Sequence, residues 1–406
     1  MIKYSSALLF VFVFFFTSAE AQSTVDSIQL NKEFISLDEA LKDPENVYRL
    51  NLSNQKVQTS DTIWSKFTNL QYLTLKDDHL KEIPAGIGYL KNLKVLDLSG
   101  NDFAVLPSTF SNLTNLQELF LNDDKYLKFE KNIAILSTLP NLKSLHIEND
   151  GLKSLPDNIN TLSHLESLYL NNNHLKEIPA GVGYLKNLLL LDLSGNDFAV
   201  LPSTFSNLTN LQELFLNDDK YLNFEANIPI LSTLTNLRSL HIENDNLKSL
   251  PDNMNRLSHL EALYLNNNHL KEIPRGVGYI KTLKVLDLSG NDFEMLPSTF
   301  SNLTNLEELF LNDDQYLNFP ANISILSGLP NLRSLHIEND GLSSLPRGIY
   351  KLSHLKSLYL NNNQFNQLPE ELKGLKHLQY LDVHGNKFNL LAQDAKHQDY
   401  GFKIRF

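Results

Sequence analysis

The amino-acid sequence predicts an α/β solenoid. We expect a curved horseshoe of about fifteen parallel-strand rungs, with turns, 3-10 helices and short helices along its convex side. A leucine pattern recurs at nearly constant spacing through most of the 406 residues, and leucines alternate with other residues in every copy. Hydrophobic residues make up 42% of the chain and charged residues 20%, so there are enough apolar side chains for a continuous core.

Each repeat follows the pattern LxxLxLxxNxLxxLPxxIxxLxxL, and residues 93–115 read LKVLDLSGNDFAVLPSTFSNLTN. Successive copies lie 23 residues apart except for three intervals of 26, and four copies form a larger unit of 95 residues. Residues 84–122 and 179–217 are nearly identical, which indicates duplication. The second leucine of each strand segment falls at Leu50, Leu73, Leu96, Leu119, Leu145, Leu168, Leu191, Leu214, Leu240, Leu263, Leu286, Leu309, Leu335, Leu358 and Leu381.

The spacing of these leucines determines which way they point. Residues two apart in a strand face the same side, so the leucines face inward and the residue between them faces outward. A single repeat cannot bury its leucines alone, whereas stacked repeats bury them against their neighbours. Strands spaced about 4.8 Å apart then give a sheet on the order of 70 Å along its arc.

The repeats resemble those of the leucine-rich repeat family, in the LPxxI variety found in exported bacterial proteins and in plant disease-resistance proteins. The resemblance covers residues 47–391, with fifteen matches at fixed spacing. It implies a horseshoe with its sheet on the concave side. It also implies recognition of a protein or peptide, because most leucine-rich repeat domains bind proteins.

The two ends of the chain differ from the repeats. Residues 1–21 combine Lys3, a ten-residue apolar run and Ala19-Glu20-Ala21, the pattern of a cleaved signal peptide. Residues 22–46 are expected to form an N-terminal cap with a short helix, because Ser36 to Glu39 fits a capping box. The solenoid then occupies residues 47–391, and residues 392–406 form a C-terminal cap or tail.

These features predict a secreted or periplasmic protein. The chain has no cysteine, which excludes disulfides and a lipoprotein anchor and favours a bacterial export product. No later segment is long and apolar enough for a transmembrane span. The net charge of −12 disfavours nucleic acid as a partner.

The ninth repeat position departs from the family pattern in half of the rungs. It normally carries an asparagine whose amide joins a ladder of hydrogen bonds to backbone turns. A carboxylate accepts N–H bonds but cannot donate, so we expect a weaker ladder completed by water; a cation bridging neighbouring aspartates is the alternative. Asparagine occupies Asn101, Asn173, Asn196, Asn268, Asn291, Asn363 and Asn386, aspartate occupies Asp78, Asp124, Asp150, Asp219, Asp245, Asp314 and Asp340, and Gln55 stands in the first rung.

The residue between the two strand leucines predicts a binding face. An exposed aromatic stripe usually has a function, and Phe and Tyr make good binding anchors. The alternative is that the rings pack across strands and stabilise the sheet. The candidate ligand-binding residues, all expected in solvent on the concave face, are Phe120, His146, Tyr169, Asp192, Phe215, His241, Tyr264, Asp287, Phe310, His336 and Tyr359.

The same face offers histidine–carboxylate pairs. His146 and Glu148 lie two apart on one strand, as do His241 with Glu243 and His336 with Glu338, so each pair could make binding sensitive to mildly acidic pH. Two ligands are too few for a metal site, and we expect neither a metal nor a cofactor.

The sequence contains no catalytic motif of the GxSxG, HExxH or GxxxxGK[ST] type. We therefore expect a non-enzymatic protein with no catalytic residues, which recognises a protein or peptide partner on the concave face. Binding of a carbohydrate or of the cell envelope by the same aromatic residues is the alternative, because rings beside Asp and Asn also hold sugars. The sequence pattern does not separate these two hypotheses.

Overall fold

The structure is a computed structural model that describes residues 31–57, 60–314, 316–388 and 401–406. The predicted signal peptide and most of the predicted C-terminal tail lie outside these residues. The described residues form one parallel sheet in which each strand pairs with its neighbours in the chain. Its strands are β1 Glu33–Phe34, β2 Arg49–Asn51, β3 Tyr72–Thr74, β4 Val95–Asp97, β5 Glu118–Phe120, β6 Ser144–His146, β7 Ser167–Tyr169, β8 Leu190–Asp192, β9 Glu213–Phe215, β10 Ser239–His241, β11 Ala262–Tyr264, β12 Val285–Asp287, β13 Glu308–Phe310, β14 Ser334–His336, β15 Ser357–Tyr359, β16 Tyr380–Asp382 and β17 Lys403–Arg405.

The predicted horseshoe is confirmed, and the fifteen repeat strands are β2 to β16. The central leucine of each of them, from Leu50 to Leu381, is at most 1% exposed. The registers set these leucines opposite one another, for example Leu119 opposite Leu145. The core is therefore a continuous row of stacked leucines beneath the sheet, and the flanking strand residues are left for the concave face. Strands β1 and β17 extend the sheet by one strand at each end.

The LPxxI segments form 3-10 helices on the convex side. A proline in extended conformation precedes most of them, as at Pro107 (φ −67°, ψ 150°), where its fixed φ suits the turn into the helix. Adjacent helices pack closely, since a Cβ on Gly183 would lie 2.3 Å from the carbonyl oxygen of Thr204. The 3-10 helices are Pro44–Asn46, Asp61–Lys66, Ala85–Tyr89, Ser108–Asn112, Asp157–Thr161, Ala180–Tyr184, Ser203–Asn207, Asp252–Arg256, Arg275–Tyr279, Ser298–Asn302, Arg347–Lys351 and Glu370–Gly374.

The three 26-residue intervals each contain a two-turn α-helix instead. These helices are α2 Phe129–Leu136, α3 Phe224–Leu231 and α4 Phe319–Leu326, and the N-terminal segment contributes α1 Leu37–Ala40. In α2 the buried residues Phe129, Asn132, Ile133 and Leu136 follow helical spacing on one face. The side chain of Asn132 is completely buried and accepts a hydrogen bond from the backbone of Leu106 at 2.7 Å. The extra residues thus widen the convex side at regular intervals without changing the sheet.

At the N-terminal end, the Ser36 side chain accepts a hydrogen bond from the Glu39 backbone at 3.4 Å, at the start of α1. No described helix has the length and hydropathy needed to cross a membrane.

Candidate functional site

The strand registers bring the predicted ligand-binding residues together in three groups. Phe120 on β5 is the direct partner of His146 on β6, and His146 is the partner of Tyr169 on β7. The same order recurs as Phe215, His241 and Tyr264 and as Phe310, His336 and Tyr359. Asp192 on β8 and Asp287 on β12 separate consecutive groups.

The rings of each group are stacked face to face. Ring centroids of Phe120 and His146 lie 4.1 Å apart, and those of His146 and Tyr169 lie 4.2 Å apart with only 7° between their planes. The other two groups have centroid distances of 4.0 to 4.4 Å. This distance is close to the strand spacing, so three rings on consecutive strands stand upright in van der Waals contact.

The expectation that all of these rings lie in solvent is wrong for the histidines. His146, His241 and His336 are only 9%, 5% and 8% exposed, because rings on both sides cover both faces of each imidazole. The Phe and Tyr rings of each group are half-buried. The Phe, His and Tyr rings point toward the concave side, as predicted. They also pack against one another across the strands, and this packing stabilises the sheet.

Each histidine is held at both ring nitrogens by acidic side chains. The predicted pair of His146 and Glu148 is confirmed, with 3.1 Å between Nδ1 and Oε1. Sequence reasoning missed Glu118 on the preceding strand, whose Oε1 lies 3.3 Å from Nε2, and Ser144, whose Oγ lies 3.0 Å from the same nitrogen. The signal was available, because a glutamate precedes the strand leucine one rung before each of these histidines.

These contacts favour the charged form of the imidazole. Burial by itself would lower the pKa of His146, but its hydrogen bonds to the carboxylates of Glu118 and Glu148 outweigh burial and raise the pKa above its usual value. The pKa values of His241 and His336 are raised for the same reasons. Each imidazole, with its pKa shifted toward the charged form, lies between two aromatic rings, and the ring quadrupoles favour that form as well.

The glutamates beside the stacks are held in place as well. The side-chain amide of Asn171 donates to Glu148 Oε2 at 3.3 Å, and the Asn122 side chain accepts from the Glu148 backbone at 3.0 Å. Burial would raise the pKa of Glu148, but the hydrogen bond and charge of His146, and after them the Asn171 and Asn122 side chains, lower it below its usual value. The concave face thus presents ordered carboxylates beside aromatic rings.

The aspartates between the groups are partly buried carboxylates with a fixed orientation. The Ser194 backbone donates to Asp192 Oδ1 at 2.9 Å, and Ser289 donates to Asp287 Oδ1 at the same distance. Burial is the main cause that raises the pKa of both Asp192 and Asp287 to about 6.

The aspartate-substituted ladder lies inside the solenoid, and its Oδ1 atoms accept backbone N–H groups as predicted. The Asn196 backbone donates to Asp219 Oδ1 at 2.7 Å, while Asp219 Oδ2 is buried without a hydrogen-bond partner. Burial raises the pKa of Asp219 to about 8 and that of Asp124 to about 9. The described residues contain no group of three or more acidic, His or Cys ligands arranged for a metal.

A second set of aromatic residues was not singled out by the sequence analysis. Tyr89, Tyr184 and Tyr279 end convex 3-10 helices and are 56%, 49% and 51% exposed. They recur at the 95-residue period, which was the signal available. These residues lie on the face opposite the stacked groups, so they serve as matched positions for comparing the two faces.

Family models match nearly the whole described chain. A model described as a leucine-rich repeat region matches residues 46–139, 124–254 and 248–345, and one described as leucine rich repeat matches residues 330–388. No curated protein matches the chain.

Solved structures with the same architecture come from several sources. The chain is 28% identical to a leucine-rich repeat protein of Leptospira interrogans, with a TM-score of 0.57, and the match covers 93% of this chain and all of that one. An internalin of Listeria monocytogenes is 23% identical with a TM-score of 0.56, over 88% of this chain and 92% of that one. TLR13, in its complex with ssRNA13, is 22% identical with a TM-score of 0.65, over 93% of this chain and 60% of that one. From these matches and the stacked rungs, the chain belongs to the leucine-rich repeat family.

Proposed function

We propose that this protein is a non-enzymatic binding protein that recognises a protein or peptide partner on the concave face of its solenoid. The family supports protein recognition in general. The observation that carries the proposal is the threefold arrangement of half-buried Phe and Tyr rings beside ordered glutamates on that face.

Rigidity is the physical advantage of this face for binding. Stacking on a histidine fixes each Phe and Tyr ring, and hydrogen bonds fix the neighbouring glutamates, so little side-chain entropy remains to be lost when a partner binds. Tyrosine also combines a large apolar area with a polar hydroxyl, which suits a protein interface. Three similar groups along one arc suit an extended or repetitive partner.

Two further properties favour binding over catalysis and a protein over a glycan. The sheet face is open to water, so it lacks the enclosed pocket that catalysis needs. Each histidine on this face is already paired with two glutamates. The ordered glutamates favour a protein over a neutral glycan, because a protein partner can supply basic side chains to carboxylates beside the rings. We also propose that residues 1–21 direct export of the protein to the periplasm or the medium. N-terminal sequencing of the protein recovered from each of these fractions tests this part of the proposal.

The proposal is tested by crosslinking capture from envelope and culture-medium fractions, with variants of both faces. Replacing Tyr169 and Tyr264 by Ala should lower capture of the crosslinked partner at least about fivefold, because each loses a ring that could anchor a partner. Replacing Tyr184 and Tyr279, the convex tyrosines, should leave capture unchanged. Equal capture by both variants would contradict the proposal, and binding to a glycan array with no protein captured would replace it with the carbohydrate alternative.

The triple replacement of Phe215, His241 and Tyr264 by Ala tests the same face with a larger structural perturbation. His241 is buried and paired with Glu213 and Glu243, so this variant also removes a cross-strand stack. Circular dichroism must therefore show a folded solenoid before its binding is interpreted.

A further inference from the structure

The intervals between the stacked groups contain a second, repeated arrangement on the concave face. Tyr169, Asp192 and Phe215 lie on three consecutive strands, and Tyr264, Asp287 and Phe310 repeat them. In each case two aromatic rings stand two strands apart, with a carboxylate between them. We call these the two carboxylate slots.

The stacked groups show what fits between rings that are two strands apart. Phe120 and Tyr169 have the same two-strand separation, and the planar imidazole of His146 fills the gap at 4.1 and 4.2 Å from the two rings. The two ring nitrogens of His146 contact the carboxylates of Glu118 and Glu148, and the position between two aromatic rings suits a cation. A carboxylate slot spans the same two-strand separation, and a short aspartate replaces the imidazole, so we expect room for a planar cation above the aspartate, between the two rings.

The charges around each slot also select for a cation. The negative charge of Glu148 acts on Asp192, that of Glu213 acts on the adjacent Tyr169, and the charged form of His241 partly offsets the repulsion at Asp192. The hydroxyl of Tyr169 is neutral at physiological pH, and burial moves its pKa still further away, to about 12.

The chain itself places a guanidinium on the third of the carboxylates that come one strand after a tyrosine. Asp382 on β16 stands where Asp192 and Asp287 stand in their units, one strand after Tyr359. Arg405 on the next strand lies 3.4 Å from Asp382 Oδ2 through Nη1, and His384 lies 2.6 Å from Oδ1. This third position, at the end of the sheet, therefore already pairs its carboxylate with cationic groups of the chain.

We propose that each of the two carboxylate slots takes one arginine or lysine side chain of a protein partner, so that the concave face recognises a basic, extended segment. This inference rests on the proposed function and names the chemistry of the partner. The slots lie four strands apart, about 19 Å at about 4.8 Å for each strand. An extended peptide advances about 3.3 Å for each residue, so the matching basic residues are about six positions apart.

The test uses labelled synthetic peptides with two arginines in a Gly-Ser background, spaced about two, four, six and eight residues apart, with fluorescence anisotropy as the readout. We expect the tightest binding near a spacing of six, and at least about tenfold weaker binding when both arginines are replaced by citrulline, the neutral isostere. Affinity that does not depend on spacing, or equal binding of the citrulline peptide, would overturn the proposal.

Variants locate the binding in the slots. Asp192→Asn and Asp287→Asn keep the acceptor for the Ser194 and Ser289 backbones but remove the charge, so each should weaken the matched peptide about fivefold and the double variant more. Asp252→Asn, on an exposed convex 3-10 helix, is the matched control and should bind as the wild type does. If the double variant binds as tightly as the wild type, the slots are not the binding site.

Failure of this inference is distinguishable from failure of the proposed function. The tyrosine double variant (Tyr169 and Tyr264) could lose partner capture while the Asp192 and Asp287 double variant keeps full capture. That result would leave binding on the concave face in place and would overturn the proposal that the slots bind basic side chains. Full capture by both the tyrosine double variant and the aspartate double variant overturns both proposals.

Discussion

Replacing Asp219 by Asn should stabilise the protein, by an amount that grows with pH. Asp219 Oδ1 accepts the Asn196 backbone at 2.7 Å, and its Oδ2 is buried without a partner. The side chain of Asn196, one rung earlier, donates its amide to the carbonyls of Leu193 at 2.6 Å and Leu170 at 3.1 Å. An asparagine at position 219 would supply the same two donors in a site of the same shape.

The magnitude follows from the pKa of the carboxyl. Burial raises the pKa of Asp219 from 3.8 to about 8, so the folded protein holds this proton more tightly than the unfolded chain does. Raising the pH from 3.8 through about 8 therefore costs stability, and this cost is complete once the folded carboxyl ionises. Between the two pKa values the cost grows by about 1.4 kcal/mol for each pH unit, so the step from pH 6 to the folded pKa costs about 2 to 3 kcal/mol. Each new amide bond contributes about 1 kcal/mol.

We expect Asp219→Asn to be more stable than the wild type already at pH 6, and its gain to be about 2 to 3 kcal/mol larger at pH 9 than at pH 6. Urea unfolding followed by far-ultraviolet circular dichroism at both pH values measures this gain. Asp252→Asn, which removes an exposed carboxylate of the convex side, is the control and should change stability little at either pH. A gain for Asp219→Asn that stays constant or shrinks as the pH rises would refute the assignment of a protonated, buried carboxyl.

Three further predictions concern the stacks and the convex side. His241→Gln should destabilise more at pH 5.5 than at pH 8.5 by thermal unfolding, because the raised pKa of His241 gives stability that is present below about pH 6.5 and lost at higher pH; an equal loss at both pH values would count against the charged stack. Gly183→Ala should cost more than about 2 kcal/mol in urea unfolding, since its Cβ would lie 2.3 Å from the Thr204 carbonyl oxygen; a neutral effect would show that adjacent 3-10 helices can separate freely. Asn227→Ala should cost about 2 to 3 kcal/mol, because it leaves the buried backbone of Leu201 without its acceptor at 2.8 Å, and hydrogen exchange should rise most around α3.

Much of the candidate site could be predicted from the outward position of its residues. The alternation of leucines placed Phe120, His146 and Tyr169 on one face, and the two-residue spacing of His146 and Glu148 predicted their pair, which the structure confirms at 3.1 Å. The burial of His146 was not predicted, because it depends on the distance and tilt between rings on three strands. The contact with Glu118 depends on register in the same way.

The sequence alone determined the architecture, because a leucine pattern with fixed spacing can bury its side chains only by stacking copies. It also determined which aspartates enter the ladder, since their place in the repeat is fixed. The tertiary structure decided how the rungs meet: which rings stack, which glutamates reach a histidine on the next strand, and which aspartate oxygens are left without a partner. The physical reason is that these contacts cross between strands 23 or more residues apart, where distances of a few tenths of an ångström and loss of water set the pKa and the exposure of each group.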